Sequence, residues 1–245
     1  MRISPLLLAA GALLALAGCN KNADTVAAPG APVASVPPPA GKSWTDVVSA
    51  TPEGGMRMGN PNAPVKLVEY GSFTCPHCMR FEADAAEGLK RDFISSGRVS
   101  WEFRSFLLHA QDPAVTLLMN CRGPAPFFPL MQQVFATQDA WLGKFLAAPQ
   151  EELQRLQTLP VMDQFRKTAE LTGLDGLMAA RGLPKAQADA CLSDQAAIGK
   201  LTAHQDRAVN QEQVNGTPAF FINGQMQADI AEWSKLEPRL RAALG

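Results

Sequence analysis

In the first part of the chain that can form a hydrophobic core, apolar residues recur at the regular intervals of strands and helices. The β-branched and apolar run Val65–Tyr70 follows a turn rich in Asn and Pro, which predicts a strand. After Cys75, apolar residues keep the spacing of a helix at Cys78, Phe81, Ala85 and Leu89. Over Arg98–Phe103 every second residue is apolar, as in a half-buried strand. This order predicts a right-handed crossover between parallel strands.

From about residue 112 to residue 213 the pattern becomes helical. Helix-starting prolines and helix-ending glycines occur at Pro160, Gly173, Gly182 and Pro184. Ser193 is the expected N-cap of a long helix that follows. A helical block of roughly eighty residues is too long for a loop, so residues 111–192 are predicted to form an inserted helical subdomain.

The chain closes with a hairpin and a helix. Ala219–Asn223 has the composition of a strand, and Asn223-Gly224 is the strongest hairpin signal in the sequence. A second short strand and an amphipathic helix from about Asp229 to Leu244 follow. The hairpin adds antiparallel strands to the parallel pair. The predicted fold class is therefore α/β, with a mixed central sheet flanked by helices.

The first residues have the pattern of a secretory signal. One early positive charge precedes a short apolar run, Leu6–Ala17, and small residues follow it. A membrane-spanning helix needs about twenty apolar residues, so this run of about a dozen is too short to be one. We therefore predict a signal peptide at residues 1–18 and a location in the periplasm or cell envelope.

The end of this leader, Leu16-Ala17-Gly18-Cys19, resembles the lipobox of bacterial lipoproteins, in which the cysteine is acylated. The resemblance implies lipidation of Cys19 and a membrane anchor; the alternative is an ordinary cleavable signal. Asn20 follows the cysteine and weakly favours the outer membrane. Residues 19–52 are rich in Pro and Ala, which predicts an extended tether. The folded part of the chain is expected to begin near Trp44 or Gly54.

Composition narrows the functional class. The 245 residues carry 22 basic and 23 acidic side chains, so there is no basic field for a nucleic acid. An apolar content of 47% with 18% charged residues argues against a disordered chain. The sequence also contains five cysteines, and an exported protein meets an oxidising compartment.

The segment Cys75-Pro76-His77-Cys78 carries the candidate chemistry. It lies where the first predicted strand ends and a helix begins, and Pro76 suits the first helical position. Cys75 is then the N-cap, where backbone N–H groups and the helix dipole favour a thiolate. Stabilising that thiolate makes the disulfide form an oxidant. We predict that Cys75 is the nucleophile and that Cys78 is the resolving thiol.

The Cys75–Cys78 segment and the acids near it have alternative interpretations. Zinc sites share the Cys-x-x-Cys spacing, but the remaining Cys and His residues show no matching ligand spacing, so no metal is expected. His77 is either a polarising group beside the Cys75 sulfur or a solvent-facing residue. Glu69, in a strand expected to be buried, is predicted to exchange a proton with Cys78; the alternative is an acid whose hydrogen bonds are satisfied or that lies exposed at an edge. Glu82 is either near the pair or a solvated surface acid.

Cys75–Cys78, together with Gly216–Phe221, resembles the DsbA-like thiol:disulfide oxidoreductases of the thioredoxin superfamily. The resemblance implies a thioredoxin-fold domain at residues 53–110 and 193–245. In that family the proline before the hairpin is cis and lies against the active-site sulfurs; Pro218 matches it. By resemblance, Thr217 offers backbone groups to an extended substrate chain.

The match departs from the family's best-known enteric oxidase, which carries valine before the cis-proline. Thr217 is shared with isomerases and with broader DsbA-like branches, so the direction of the redox reaction stays open. Superfamily isomerases also carry an N-terminal dimerisation domain, whereas only the tether precedes the catalytic part here. Isomerase activity is therefore not expected.

Cys121 and Cys191 remain outside the motif. They are either two buried free thiols or a structural disulfide. Pairing them is the one connectivity consistent with a working Cys75–Cys78 pair, and some relatives carry a second disulfide there. We predict the bridge, which would hold the helical subdomain together.

The predicted function is a lipid-anchored envelope thiol oxidase that donates the Cys75–Cys78 disulfide to client proteins. The resemblance implies reduced or unfolded envelope proteins as substrates and a DsbB-like, quinone-linked membrane oxidase as recycling partner. The redox-active disulfide needs no metal, nucleotide or flavin. The alternatives are a reductase with few clients and, less favoured, a chaperone or copper-binding module.

Overall fold

The computed structural model describes residues 34–245, and the predicted signal peptide and Cys19 lie outside them. The described residues form a six-stranded sheet in the order β1-β2-β4-β3-β5-β6. Its strands are β1 (Val48–Ala50), β2 (Met56–Gly59), β3 (Val65–Gly71), β4 (Val99–Ser105), β5 (Ala219–Ile222) and β6 (Gln225–Met226). Only the β3–β4 pair is parallel among these strands, so the predicted mixed sheet is confirmed.

The helices follow the predicted order. They are α1 (Pro76–Gly88), α2 (Asp112–Asn120), α3 (Phe127–Ala136), α4 (Gln138–Leu146), α5 (Gln150–Thr158), α6 (Val161–Thr172), α7 (Leu174–Ala180), α8 (Lys185–Cys191), α9 (Gln195–Asn210) and α10 (Trp233–Leu244). After α1 the chain continues as a π turn and a 3-10 turn to Ser96. None of these helices, within residues 34–245, has the length and apolar character needed to cross a membrane.

The folded domain begins earlier than the predicted boundary at residue 53. Strand β1 pairs with β2, and the Trp44 side chain is buried in the core. The Trp44 indole donates a hydrogen bond to the Val36 carbonyl at 2.7 Å, and the Val36 N–H donates to the Ser96 carbonyl at 2.9 Å. The predicted tether is therefore wrong for this part of its range, because burial of the indole holds the segment against the domain.

Helices α2–α8 occupy the predicted insertion, residues 111–192. Pro160 and Pro184 precede α6 and α8, and Gly173 ends α6 with a positive φ of 70°. The predicted cap of α9 is wrong by one residue. The Asp194 carboxylate accepts the N–H groups of the first turn, whereas the Ser193 hydroxyl donates to the Asp189 carbonyl. A carboxylate also interacts favourably with the helix dipole.

Side-chain alternation along β3 decides which groups meet beneath the sheet. Leu67 belongs to the main core, which the aromatic side chains Phe73, Phe103, Phe127, Phe128 and Phe135 help to fill. Tyr70 belongs to a smaller cluster with Phe106 and Phe221. Glu69 therefore points to the main-core face, where a carboxyl group is surrounded by apolar side chains.

Candidate active site at the Cys75–Cys78 helix

Cys75 is the N-cap of α1, as the sequence predicts. It has extended backbone angles (φ −82°, ψ 121°), and Pro76 occupies the first turn. Because the first helical N–H groups have no intrahelical acceptor, Pro at this place removes no helical hydrogen bond. The Cys75 sulfur therefore lies at the positive end of the helix.

The environment stabilises the thiolate of Cys75. Its pKa is lowered to about 5, chiefly by a hydrogen bond from the Cys78 thiol. The backbone N–H groups of Cys78 and His77 lower it further, while burial opposes the shift. Both cysteines are free thiols in this structure. At neutral pH Cys75 is therefore mainly ionised.

Cys78 has the opposite character. It is 0% exposed, against 3% for Cys75, so both residues are buried and Cys78 completely so. Burial raises the pKa of Cys78 well above the usual range, and the hydrogen bond to Cys75 and the charge of Glu69 add to the shift. The pair thus combines a reactive thiolate with a protonated, protected thiol.

The loop before β5 completes the pair's surroundings. The Thr217–Pro218 peptide bond is cis, as the resemblance implies. The Cys75 sulfur lies 3.3 Å from the Thr217 carbonyl oxygen, to which only the protonated form of Cys75 donates a hydrogen bond. The Thr217 hydroxyl is buried and has no hydrogen-bond partner among residues 34–245. The hydrogen bond between Thr217 and the sulfur is therefore made by the main chain, while the nearby Thr217 side chain helps to lower the pKa of Cys75.

Glu69 lies beneath the cysteine pair. It is 1% exposed, and the Trp101 indole donates a hydrogen bond to its Oε2 at 3.1 Å. Burial raises the pKa of Glu69 well above its usual value, and the charge of Glu82 adds to the shift. This carboxyl group therefore keeps its proton to a higher pH than an ordinary glutamate does, which suits a proton donor to a nearby base.

Glu82 is buried rather than solvated, so the surface-acid alternative for this residue is wrong. It is 5% exposed, and its Oε1 has no hydrogen-bond partner within the described part of the chain. Burial raises the pKa of Glu82 to about 7, although Lys90 opposes the shift. Glu82 lines a cleft of about 450 Å³ between α1 and α3, which connects this carboxyl group to the surface.

This arrangement of helix, cysteine pair and cis-proline agrees with the family comparison. A thioredoxin family model matches residues 51–240, which is most of the chain. The chain belongs to the thioredoxin family. The expected fold class, with DsbA-like structural neighbours, is confirmed.

Two solved structures agree with this thioredoxin-family chain in fold, and a further relative matches it in sequence. A protein-disulfide isomerase structure from Novosphingobium aromaticivorans is 35% identical with a TM-score of 0.74, covering 77% of this chain and 96% of that chain. Wolbachia pipientis alpha-DsbA1 is 21% identical with a TM-score of 0.64, covering 83% and 96%. A Rickettsia bellii protein, whose name describes a protein-disulfide oxidoreductase, is 27% identical over 173 residues. That match covers 70% of this chain but only 58% of the relative.

One buried carboxylate that sequence reasoning missed holds the loop before Cys75. Asp112, at the start of α2, accepts hydrogen bonds from the Ser72 hydroxyl, the Thr74 hydroxyl and the Thr74 N–H at 2.9 to 3.1 Å. The N–H groups of Leu108 and His109 also donate to it at 2.9 Å. A polar residue at a predicted helix start was the available signal, but its partners lie far away in sequence.

Gln138, at the start of α4, was also missed. Its side-chain amide donates to the carbonyl oxygens of Phe73 and Cys75 at 2.8 and 3.0 Å, and it is 1% exposed. Through Gln138, the helical subdomain therefore holds the main chain at both ends of the short segment from Phe73 to Cys75, which carries the nucleophile. Nothing in the sequence near Gln138 marks this contact.

The structure does not bring every predicted residue together. The His77 side chain is exposed and forms no hydrogen bond within the described residues, so only its backbone N–H serves Cys75. Cys121 and Cys191 form a disulfide with a Cα–Cα distance of 5.8 Å, joining α2 to α8. Across residues 34–245, no cluster of three or more His, Cys, Asp or Glu side chains is arranged to hold a metal ion.

Proposed function

We propose that this chain is a cell-envelope thiol:disulfide oxidase that transfers the Cys75–Cys78 disulfide to client proteins. The observation that carries the proposal is the opposite pKa shift of two cysteines one helical turn apart. Stabilising the Cys75 thiolate stabilises the reduced enzyme relative to its disulfide, which makes the disulfide form an oxidant.

The reaction begins with the oxidised enzyme. A client thiolate attacks the Cys75 sulfur, the Cys75–Cys78 bond breaks, and Cys78 leaves as a thiolate. A second client thiolate then attacks the client sulfur of the mixed disulfide, and Cys75 leaves as a thiolate. Overall, the client dithiol loses two electrons and two protons to form its disulfide. The enzyme takes up both electrons and one proton, on Cys78, and the second proton goes to solvent because Cys75 stays ionised. Because the pKa of Cys75 is about 5, Cys75 is a good leaving group in the second step.

Protonation of Cys78 makes the first step hard to reverse. The raised pKa of Cys78 means that its thiolate takes a proton as soon as it forms. Because the pKa of Glu69 is raised by burial and its charge is coupled to Cys78, we assign Glu69 the role of proton donor. Glu82 interacts in turn with Glu69 and borders the cleft that reaches the surface, which gives the proton a route back.

The direction of transfer is tested by equilibrating the protein with glutathione buffers and measuring its reduced fraction. A potential near or above that of the glutathione couple supports the oxidase. A potential close to that of thioredoxin would instead make the chain a reductase. Cys75→Ser is expected to abolish oxidation of a reduced client. Cys78→Ser, mixed with a client that already carries a disulfide, is expected to accumulate the mixed disulfide, because the Cys75 thiolate breaks the client disulfide and no Cys78 thiol remains to resolve the product. A chaperone would keep suppressing client aggregation in Cys75→Ser.

Isomerase activity is the second candidate, favoured by Thr217 and by the name of the Novosphingobium aromaticivorans neighbour. A client with scrambled disulfides separates the two activities. An oxidase leaves the wrong pairings in place, whereas an isomerase restores the native ones in its reduced form. Restoration at a rate comparable to that of oxidation would replace the oxidase assignment.

The cellular setting follows from the leader. We assign the chain to the envelope of a bacterium, anchored through a lipid on Cys19 with a weak preference for the outer membrane. Its substrates are reduced envelope proteins, and a DsbB-like membrane oxidase reoxidises it. Cys19→Ser is expected to release the protein from membranes and to remove incorporation of labelled fatty acid. Unchanged labelling of that variant would exclude this anchor.

A further inference from the structure

The backbone hydrogen bonds of Cys75 are long. Its N–H donates to the Ser72 carbonyl oxygen, and its own carbonyl oxygen accepts the Met79 N–H, both at 3.2 Å. This distance lies at the upper end of the normal range for an N–H···O hydrogen bond. The orientation of the nucleophile therefore depends on further contacts to its main chain.

The Gln138 side chain supplies such a contact. Its Nε2 donates to the Cys75 carbonyl oxygen at 3.0 Å and to the Phe73 carbonyl oxygen at 2.8 Å. One amide nitrogen with two hydrogens thus holds the carbonyl groups on both sides of Thr74. The Gln138 side chain is closed to solvent, so water does not compete for either hydrogen bond.

Gln138 is itself fixed by the joint between α3 and α4. Trp141, one turn later in α4, is buried, and its indole donates to the Val134 carbonyl oxygen of α3 at 2.9 Å. Phe135, also in α3, stacks on Phe73 with the ring centroids 5.3 Å apart. These two helices therefore hold Phe73 by its ring and by its carbonyl group. Gln138 presents its two donors from a rigid base.

The orientation of the Cys75 main chain affects how well the charge on its sulfur is stabilised. The Cys78 thiol and the N–H groups of His77 and Cys78 lower the pKa of Cys75. These donors belong to the first turn of α1, and the Cys75 carbonyl accepts the Met79 N–H of that turn. Because the carbonyl group and the sulfur belong to one residue, turning the carbonyl moves the sulfur relative to these donors.

The two redox states depend on such a contact to different extents. In the oxidised protein the covalent Cys75–Cys78 bond itself restrains the sulfur. In the reduced protein, which this structure represents, only noncovalent contacts hold the thiolate in place. A contact that orients Cys75 therefore stabilises the reduced state more than the oxidised state, which makes the disulfide a stronger oxidant.

We propose that Gln138 is a positioning residue for the nucleophile, holding Cys75 so that its thiolate receives the N–H groups at the start of α1. Through this one side chain, the helical subdomain contributes to the redox potential of a cysteine pair carried by the thioredoxin-fold part of the chain. The inference rests on the disulfide exchange of the proposed function but not on its direction, because it concerns a difference between variant and wild type.

The test compares two variants of the full chain with the wild type. Gln138→Met keeps the length of the side chain but removes both donors. We expect the pKa of Cys75 to rise by about 1 and the equilibrium with glutathione to shift about tenfold toward the disulfide, a fall in potential of about 30 mV. Gln138→Asn keeps the amide but is one methylene shorter, so a smaller shift in the same direction is expected.

Gln150→Met is the matched control. Gln150 is the first residue of α5, as Gln138 is of α4, but its side chain is exposed. We expect this variant to leave the pKa of Cys75 and the redox potential unchanged. A shift equal to that of Gln138→Met would overturn the proposal.

Urea unfolding of both redox states separates positioning from a general loss of packing. A contact needed only for packing lowers the free energy of unfolding equally in both states and leaves the potential unchanged. The proposal requires a larger loss in the reduced state, so equal losses with an unchanged Cys75 pKa would overturn it. A wild-type potential close to that of thioredoxin would overturn the oxidase assignment alone, since the difference between variant and wild type still tests Gln138.

Discussion

The ionised Cys75 thiol should make the reduced protein lose stability in mild acid. The perturbation is a change from pH 7 to pH 5 in the wild-type chain and in Cys75→Ser. The pKa of Cys75 is about 5 in the folded protein against an ordinary value of 9.0. A depressed pKa contributes stability that is complete above the unfolded value and disappears as the pH falls through the folded value.

The size of the effect follows from these two values. At pH 7 the thiolate contributes about 2.7 kcal/mol to the free energy of unfolding, because pH 7 lies about 2 above the folded pKa at about 1.36 kcal/mol each. At pH 5 the contribution falls to about 0.4 kcal/mol. The Cys75→Ser variant lacks this contribution at both values.

The assay is urea unfolding under reducing conditions at several pH values between 5 and 7. The difference between wild type and variant is the quantity to compare, because Glu82, whose raised pKa acts in the opposite direction, is present in both proteins. We expect this difference to shrink by about 2 kcal/mol as the pH falls from 7 to 5. A difference that does not change with pH would show that Cys75 is not an ionised thiolate, and the oxidant argument would fail.

Three further predictions follow from the site. Cys78→Ala should raise the pKa of Cys75 from about 5 toward its ordinary range, because the hydrogen bond that lowers this pKa most is lost. Titration of the thiolate absorbance measures the pKa, and an unchanged value would refute the role given to the Cys78 thiol. Glu69→Gln should slow the release of Cys78 during mixed-disulfide formation by about 100-fold, with little change in redox potential. Stopped-flow kinetics measure this rate, and an unchanged rate would show that Glu69 has no part in the mechanism. Asp112→Asn should lower the free energy of unfolding by about 2–4 kcal/mol, because an amide cannot accept all five hydrogen bonds. Asp139→Asn, another first-turn aspartate but an exposed one, is the control, and equal losses in urea unfolding would contradict this account.

Local sequence signals were reliable where the physical cause is itself local. The N-cap position of Cys75, the proline in the first turn and the Asn223-Gly224 hairpin depend on backbone angles within a few residues. The same holds for the order of strands and helices, which hydrophobic periodicity predicts. The cap of α9 shows the precision of such signals, since Ser193 and Asp194 are adjacent and only the structure selects Asp194.

Burial and contacts between residues distant in sequence could not be predicted from local sequence signals. Glu82 occupies a helical position compatible with solvent, yet packing against α3 buries it and raises its pKa to about 7. Residues near Trp44 have the composition of a tether, yet one indole anchors them to the domain. In both cases the environment is created by elements elsewhere in the chain.

The amino-acid sequence alone determined the nature of the chemistry: a cysteine at a helix start, a second cysteine one turn later, and a mixed sheet to carry them. Tertiary structure decided what surrounds the sulfur. The Thr217 carbonyl reaches Cys75 across 142 positions, Gln138 reaches it across 63, and Asp112 reaches Thr74 across 38. Helix caps and periodicity act between neighbours along the chain, whereas pKa values depend on every group within a few ångströms, whatever its sequence position.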